Sequence, residues 1–217
     1  MKKWLKKKSD VRIKEYKIAK KFIEQSNKII DVGCGTGTFL DLFKKKDVIG
    51  IDINPENIEY CKKKKLSAIL GNALNIPFND NSFDALHCSH VMQVFSRDDA
   101  VTFIKESTRV VKNNGIIVIS TLNWFNRFFK HPENIRPYPP DIFHVFNNTQ
   151  AGSNSPMFPD MPTLIQKKIW FRHPPLIDFH SHRNNLLINQ ICSFLNMIQR
   201  ILLIQNYFRF DSYIIKL

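Results

Sequence analysis

Asp31-Val-Gly33-Cys-Gly35-Thr-Gly37-Thr38 sets three glycines at alternate positions directly behind the apolar run Lys28-Ile-Ile-Asp-Val. Glycines so placed permit a sharp strand-to-helix turn and let the backbone approach a ligand closely. A dinucleotide-binding turn would want G-x-G-x-x-G. Here the third glycine comes one residue early, and Thr38 fills the last slot of that pattern. A pyrophosphate held at the helix N-terminus would also be repelled by the carboxylate of Asp31 beside it. That carboxylate suits a cationic ligand instead, such as the ammonium and sulfonium groups of S-adenosylmethionine. Asp52 follows fifteen positions after Gly37, at the end of a second apolar run. A carboxylate there can accept hydrogen bonds from ribose hydroxyls, a device that serves any adenosine-type cofactor.

Base chemistry has two candidates, His90 after the fourth apolar run and His144 in Asp-Ile-Phe-His-Val-Phe. Each could remove a proton from a hydroxyl or ammonium nucleophile, or be a structural histidine. His87 falls inside a strand and is expected to pack. Cys88 stands where a nucleophilic cysteine could act on a pyrimidine ring, but it lacks an adjacent proline and is expected to pack as well. The run His87-Cys-Ser-His90 is not the Asn/Asp-Pro-Pro-aromatic signature that grips an extruded base. The similar Pro137-Tyr-Pro-Pro140 comes after the wrong strand.

The elements that must position these residues alternate. A helix is expected over 10–26, capped by Ser9 or Asp10, with Val11, Ile18, Phe22 and Ile23 inward. Strands are expected at 28–33, 47–52, 66–71, 83–89 and 116–121. Helices are expected from Phe39 to Lys46, at 55–65 behind Pro55, and from Asp98 to Lys112 with Val101, Ile104, Thr108 and Val111 inward. Asn113-Asn-Gly115 should terminate the last of these. Apolar strands separated by helices predict a doubly wound, mostly parallel α/β sheet covered on both faces. Residues 124–183 hold nine of the 11 prolines and many aromatics, the composition of an ordered lid after the fifth strand. A helix is expected at 184–199 and a closing strand pair in 200–217 around Arg209–Asp211.

The 217 residues suit one domain: a basic segment and helix at 1–26, a cofactor core at 28–123, a lid at 124–183, and closing elements at 184–217. Four scattered cysteines without a Cys-x-x-Cys pair argue against zinc and disulfides and fit a cytoplasmic protein; no metal is expected. No signal peptide or bilayer-length apolar run is present in the sequence, although weak contact with a membrane surface is compatible with the lysine-rich start. The net charge of +13 gathers at the N-terminus and at helix ends, where solvated faces account for it better than a nucleic-acid partner does.

Ile29-Ile-Asp-Val-Gly-Cys-Gly-Thr-Gly-Thr-Phe39, Val48-Ile-Gly-Ile-Asp-Ile-Asn54, Gly71-Asn-Ala-Leu-Asn-Ile-Pro-Phe-Asn-Asp-Asn-Ser-Phe-Asp-Ala-Leu86 and Arg109–Asn123 resemble successive motifs of the class I S-adenosylmethionine-dependent methyltransferases. The nearest flavour is the small-molecule branch of ubiquinone and menaquinone biosynthesis. The resemblance implies a Rossmann-like, seven-stranded sheet ending in an antiparallel hairpin, with S-adenosylmethionine as cofactor. It implies that Gly33, Gly35 and Gly37 line the methionine and ribose moieties and that Asp52 binds the ribose. Ile53 would pack on adenine, Asn72 would accept from the adenine amine, the Ala73 N–H would reach a ring nitrogen, and backbone at Cys88 or Ser89 would meet the methionine. One departure is Gln93-Val94 in place of the branch's acidic residue and histidine, which disfavours metal-assisted catechol chemistry. The expected function is methyl transfer to a small-molecule oxygen, with an RNA acceptor or a non-catalytic binding protein as alternatives.

Overall fold

The computed structural model describes residues 2–43, 47–121, 131–138, 164–170 and 212–216. Helix α1 spans Lys2–Ile23, strand β1 Lys28–Val32, β2 Asp47–Asp52, helix α2 Pro55–Lys63, β3 Ala68–Leu70 and β4 Phe83–Ser89. Helix α3 follows at Arg97–Val110, then β5 at Val111–Ser120, β6 at Ile165–Trp170 and β7 at Ser212–Lys216. Among the described residues these strands form one sheet in the order β3-β2-β1-β4-β5-β7-β6. The first five run parallel, and β7 pairs antiparallel with both β5 and β6.

Strand alternation sorts the core onto two faces. Ile30 and Leu86, with Val32, Cys88 and Ile119, pack beneath α3 together with Phe103, Ile104 and Val110. Ile29, Ala85 and Val118 face the other way, onto Ala19 and Ile23 of α1 and Ile58 and Cys61 of α2. Asp31, His87 and Ser89 share the α1 side by the same period of two. Between β1 and β4 the strand order reverses, which opens a crevice at their carboxyl ends.

The sheet matches the expectation, and several element boundaries do not. Where an α-helix is expected from Phe39, the described residues form a 3-10 turn at Leu40–Phe43, with Leu42 N donating to Phe39 O at 3.0 Å and Leu40 and Phe43 buried. Helix α1 runs through Ser9 and Asp10 rather than starting there. Its inward row is Glu15, Ala19 and Ile23, while Ile18 is exposed. Helix α3 begins behind Ser96, whose side chain and that of Asp99 cap each other's backbone in a capping box. Its buried face is Ala100, Phe103, Ile104, Ser107 and Val110, one position away from the expected row. Asn113–Gly115 lies within β5, where the register skips between Phe83 and Ala85 and Asn114 takes a left-handed φ of 63°. Of the closing pair, β7 is present and pairs antiparallel with β6, from the stretch expected to be lid, while residues 200–211 lie outside the described residues. The helix expected at 184–199, the remainder of that lid except 131–138 and Leu164, and His144 lie outside the described residues.

Candidate active site

The glycine turn is fastened to the end of β2. Gly33 N and Cys34 N both donate to Ile51 O, at 2.8 and 3.0 Å. Gly35 N donates to Asp52 Oδ2 at 2.7 Å, so the turn and the strand-end carboxylate, predicted separately, are in direct contact. Gly33, Gly35 and Gly37 all hold positive φ, at 73°, 52° and 75°. A methyl group on Gly33 would lie 2.2 Å from Val91 Cγ2, and one on Gly37 would lie 2.5 Å from Leu66 Cδ1, so these two glycines seat the turn against the fold. At Gly35 a methyl group would meet nothing within 4 Å. Gly35 therefore presents bare backbone to open space at the mouth of the crevice.

Asp52 Oδ1 accepts from Asn54 N at 2.9 Å and Asn57 Nδ2 at 3.1 Å. A carboxylate offers about four acceptor sites, so roughly one remains for a ribose hydroxyl, and a second hydroxyl must displace Asn57. Asn57 was missed in the sequence because its value comes only from the helix phase set by the N-cap Asn54. Ile53 is next along and 72% exposed, an apolar side chain left bare beside a polar anchor. Asn72 Oδ1 accepts from Leu74 N at 2.9 Å in its own turn, with Ala73 half-buried beside it. Gly71 N donates to Asp52 O at 3.0 Å and ties this turn to the same strand end. Bare glycine backbone, a carboxylate with spare capacity and an exposed isoleucine suit the methionine, ribose and adenine parts of S-adenosylmethionine.

Asp31 has a different immediate partner from the one expected. It is buried, and its Oδ1 lies 2.7 Å from His87 Nδ1, directly across the β1–β4 ladder. The His87 ring stacks on Phe39 at 3.6 Å between centroids and meets Tyr16 edge-on. Asp31 thus orients His87, and its charge reaches neighbours through the core. Burial first and this charge second push the thiols of Cys34 and Cys88 up. Burial, with Asp31 and Glu15, raises the Tyr16 phenol to about 12. His87 packs, as expected, although its Nε2 is buried with no hydrogen-bond partner among the described residues.

Cys88 is fully buried, with Val32 and Ile119 as ladder partners, so its side chain is core and the mouth of β4 belongs to Ser89 and His90. His90 takes a left-handed φ of 60°, uncommon for a residue with a side chain, and its N–H donates to Ser120 O at 2.8 Å. Its Nε2 lies 3.3 Å from Glu15 Oε2, while Ser89 Oγ donates to Glu15 Oε1 at 2.8 Å. Glu15 was invisible as a site residue because a glutamate in an amphipathic helix signals a solvated face. Gln93 is buried, accepts from Thr121 Oγ1 at 3.2 Å, and through its backbone carbonyl holds Ile135 N and Arg136 N.

Such a sheet, with the glycine turn at its reversal point, defines a Rossmann-like α/β fold. Residues 30–119 match the family model described as a methyltransferase domain. Within that segment the chain is similar to S-adenosylmethionine-dependent methyltransferase domains, and S-adenosylmethionine is the cofactor this likeness implies. The chain is 28% identical over 136 residues, 60% of its length and 30% of the relative's, to the probable tRNA methyltransferase 9B of Homo sapiens. It is 34% identical over 101 residues, 44% of its length and 43% of the relative's, to the demethylmenaquinone methyltransferase of Thermotoga maritima. The chain spans less than half the length of either relative. A SAM-dependent methyltransferase from Archaeoglobus fulgidus shares the fold, with a TM-score of 0.60 over 93% of both chains at 18% identity. Among the described residues no helix is long and apolar enough to cross a membrane.

Proposed function

We propose that this chain transfers the methyl group of S-adenosylmethionine to a small-molecule acceptor, at oxygen, by in-line displacement. The observation that carries this reading is the Gly35–Asp52 contact, with open space over Gly35 and exposed Ile53 beside it. When bound, S-adenosylmethionine supplies a methyl group already activated on sulfur. The chain's own task is alignment and exclusion of water, which can contribute about 7–11 kcal/mol. Gly33, Gly35 and Gly37 line the methionine and ribose, and Asp52 takes a ribose hydroxyl. Ile53 covers adenine, Asn72 keeps one oxygen lone pair for the adenine amine, and Ala73 N–H faces a ring nitrogen. Asp31 acts from beneath through its charge, backbone at Cys88 and Ser89 approaches the methionine, and His90 or His144 takes the acceptor's proton.

A second reading, an RNA acceptor, is favoured by the likeness to a probable tRNA methyltransferase and by the net charge of +13. Incubation of the full chain with methyl-tritiated S-adenosylmethionine decides between them, with total tRNA in one arm and a set of quinols and phenols in the other. Label in the organic extract supports the small-molecule acceptor, and label in precipitated RNA replaces it with the second reading. Binding of S-adenosylhomocysteine without transfer in either arm would favour a non-catalytic binder.

A further inference from the structure

Glu15 lies on α1, before the segment that matches the methyltransferase-domain model, and it breaks the apolar row that faces the sheet. Glu15, Ala19 and Ile23 are spaced four apart and all are buried, so the helix carries a carboxylate inward to the carboxyl end of β4. A buried carboxylate is costly unless donors surround it. The partners of Glu15 include consecutive residues of the strand exit: Ser89 Oγ donates at 2.8 Å, and His90 Nε2 lies 3.3 Å away. His90 is presented by a left-handed backbone, pinned by its bond to Ser120 O, and its neighbour Val91 abuts the glycine turn at Gly33. Strain of this kind persists where surrounding contacts over-determine it. The Glu15 side chain is 2% exposed and that of His90 is 22% exposed, so one end of the pair is sealed and the other reaches the opening.

We propose that Glu15 is the positioning residue of a Glu15–His90 pair in which His90 is the general base of methyl transfer. The inference rests on the methyltransferase reading above and narrows its acceptor to a group whose attacking atom carries a proton, a hydroxyl or an ammonium. In the tautomer whose Nε2–H donates to the Glu15 carboxylate, His90 Nδ1 keeps its lone pair. As the acceptor's lone pair forms its bond to the methyl carbon, the sulfur–methyl bond breaks with its electrons remaining on sulfur. The acceptor's proton passes to Nδ1, and Glu15 stabilises the resulting imidazolium. The products are the methylated acceptor, S-adenosylhomocysteine and protonated His90, which returns its proton to solvent.

The test is the tautomer of His90 in the uniformly 15N-labelled full chain, by long-range proton–nitrogen correlation. The His90 signal is identified among the seven histidines by its loss in His90→Asn. The expected result is a single Nε2-protonated ring in the native chain, replaced by a tautomer mixture in Glu15→Met. An Nδ1-protonated ring in the native chain overturns the proposal even if Glu15→Met fails to fold, and so does an unchanged tautomer in Glu15→Met. Calorimetry with S-adenosylhomocysteine should give Glu15→Met an affinity within about twofold of native. A loss beyond tenfold would make Glu15 a cofactor ligand and overturn its positioning role. If the native chain binds no S-adenosylhomocysteine, the base role falls with the methyl-transfer reading, while the tautomer still reports whether the pair exists.

Discussion

Alanine placed at Gly33 and at Gly35 should separate the part of the turn that builds the fold from the part that meets the ligand. Both residues hold positive φ, and each substitution incurs about 1–2 kcal/mol for the left-handed backbone. Roughly 0.4–1 kcal/mol of that returns through a less disordered unfolded chain. At Gly35 nothing else is added, because the new methyl group has no neighbour within 4 Å. The net loss is about 1 kcal/mol, or roughly 2–4 °C in Tm for a chain of this size. At Gly33 the methyl group would sit 2.2 Å from Val91 Cγ2, on a stiff, half-buried side chain. Overpacking of this kind adds about 1–3 kcal/mol, so Gly33→Ala should lower Tm two to four times as far. Affinity should run the other way relative to stability. Gly35→Ala fills the space proposed for the cofactor and should weaken S-adenosylhomocysteine binding at least tenfold, about 1.4 kcal/mol, in a protein that remains folded. Differential scanning calorimetry and isothermal titration on the same preparations give both numbers. Val91→Ala combined with Gly33→Ala should recover about 1 kcal/mol or more of the double-mutant sum, since it removes the atom that clashes. Native affinity in Gly35→Ala would refute the placement of the cofactor over that residue.

Asp52→Asn should reduce S-adenosylhomocysteine affinity by about 1–3 kcal/mol through the lost charge-assisted bonds to the ribose and to Gly35 N, and unchanged titration calorimetry would remove Asp52 from the ribose role. Arg109→Ala should destabilise by about 1–3 kcal/mol in urea titration. The guanidinium bonds both Glu106 oxygens together with Ile76 O, Phe78 O and Asp80, and so clamps the segment after the Asn72 turn to α3. Acid should unfold the chain partly through two carboxyls held below their ordinary range: Glu106 by its hydrogen bond from Arg109, and Asp84 by hydrogen bonds from Lys112 and from Lys28 N. Both are lowered in the fold, so their stabilisation is complete above the ordinary carboxyl range near pH 4 and is lost as pH falls through their folded values. Glu106→Gln with Asp84→Asn should flatten that part of the acid transition, and an unchanged slope below pH 4 would count against this origin. Ser96→Ala removes one half of the α3 capping box and should lower stability by about 1 kcal/mol, read as a shift of the urea midpoint at constant slope.

Apolar runs marked the inner parallel strands β1, β4 and β5 because strands there are buried on both faces, and burial leaves a continuous pattern in composition. Helix phase was harder to read. In α3 the inward row contains Ser107, satisfied by its own bond to Phe103 O at 2.7 Å, and the apolar residues beside it pulled the expected face one position over. The 3-10 turn at Leu40–Phe43 has apolar residues at helical spacing, which a sequence pattern does not tell from an α-helix. Strand β6 carries too little apolar signal to stand out from a proline-rich stretch, since an edge strand pairs on one side only.

The cradle residues announced themselves because their chemistry is local: three glycines and one aspartate at fixed offsets are sufficient to shape it. The base pair at the mouth of β4 is not local, since Glu15 and His90 are 75 residues apart and meet only when α1 packs on the sheet. Its sequence trace is a single charge out of place in an amphipathic helix, which is also the trace of a solvated turn. The two sides of the crevice therefore differ in how they can change. The glycine side cannot vary without strain or a blocked ligand space, as the Gly33 and Gly35 geometries require. The α1 side can exchange one inward residue while the helix keeps Ala19 and Ile23 as its seat.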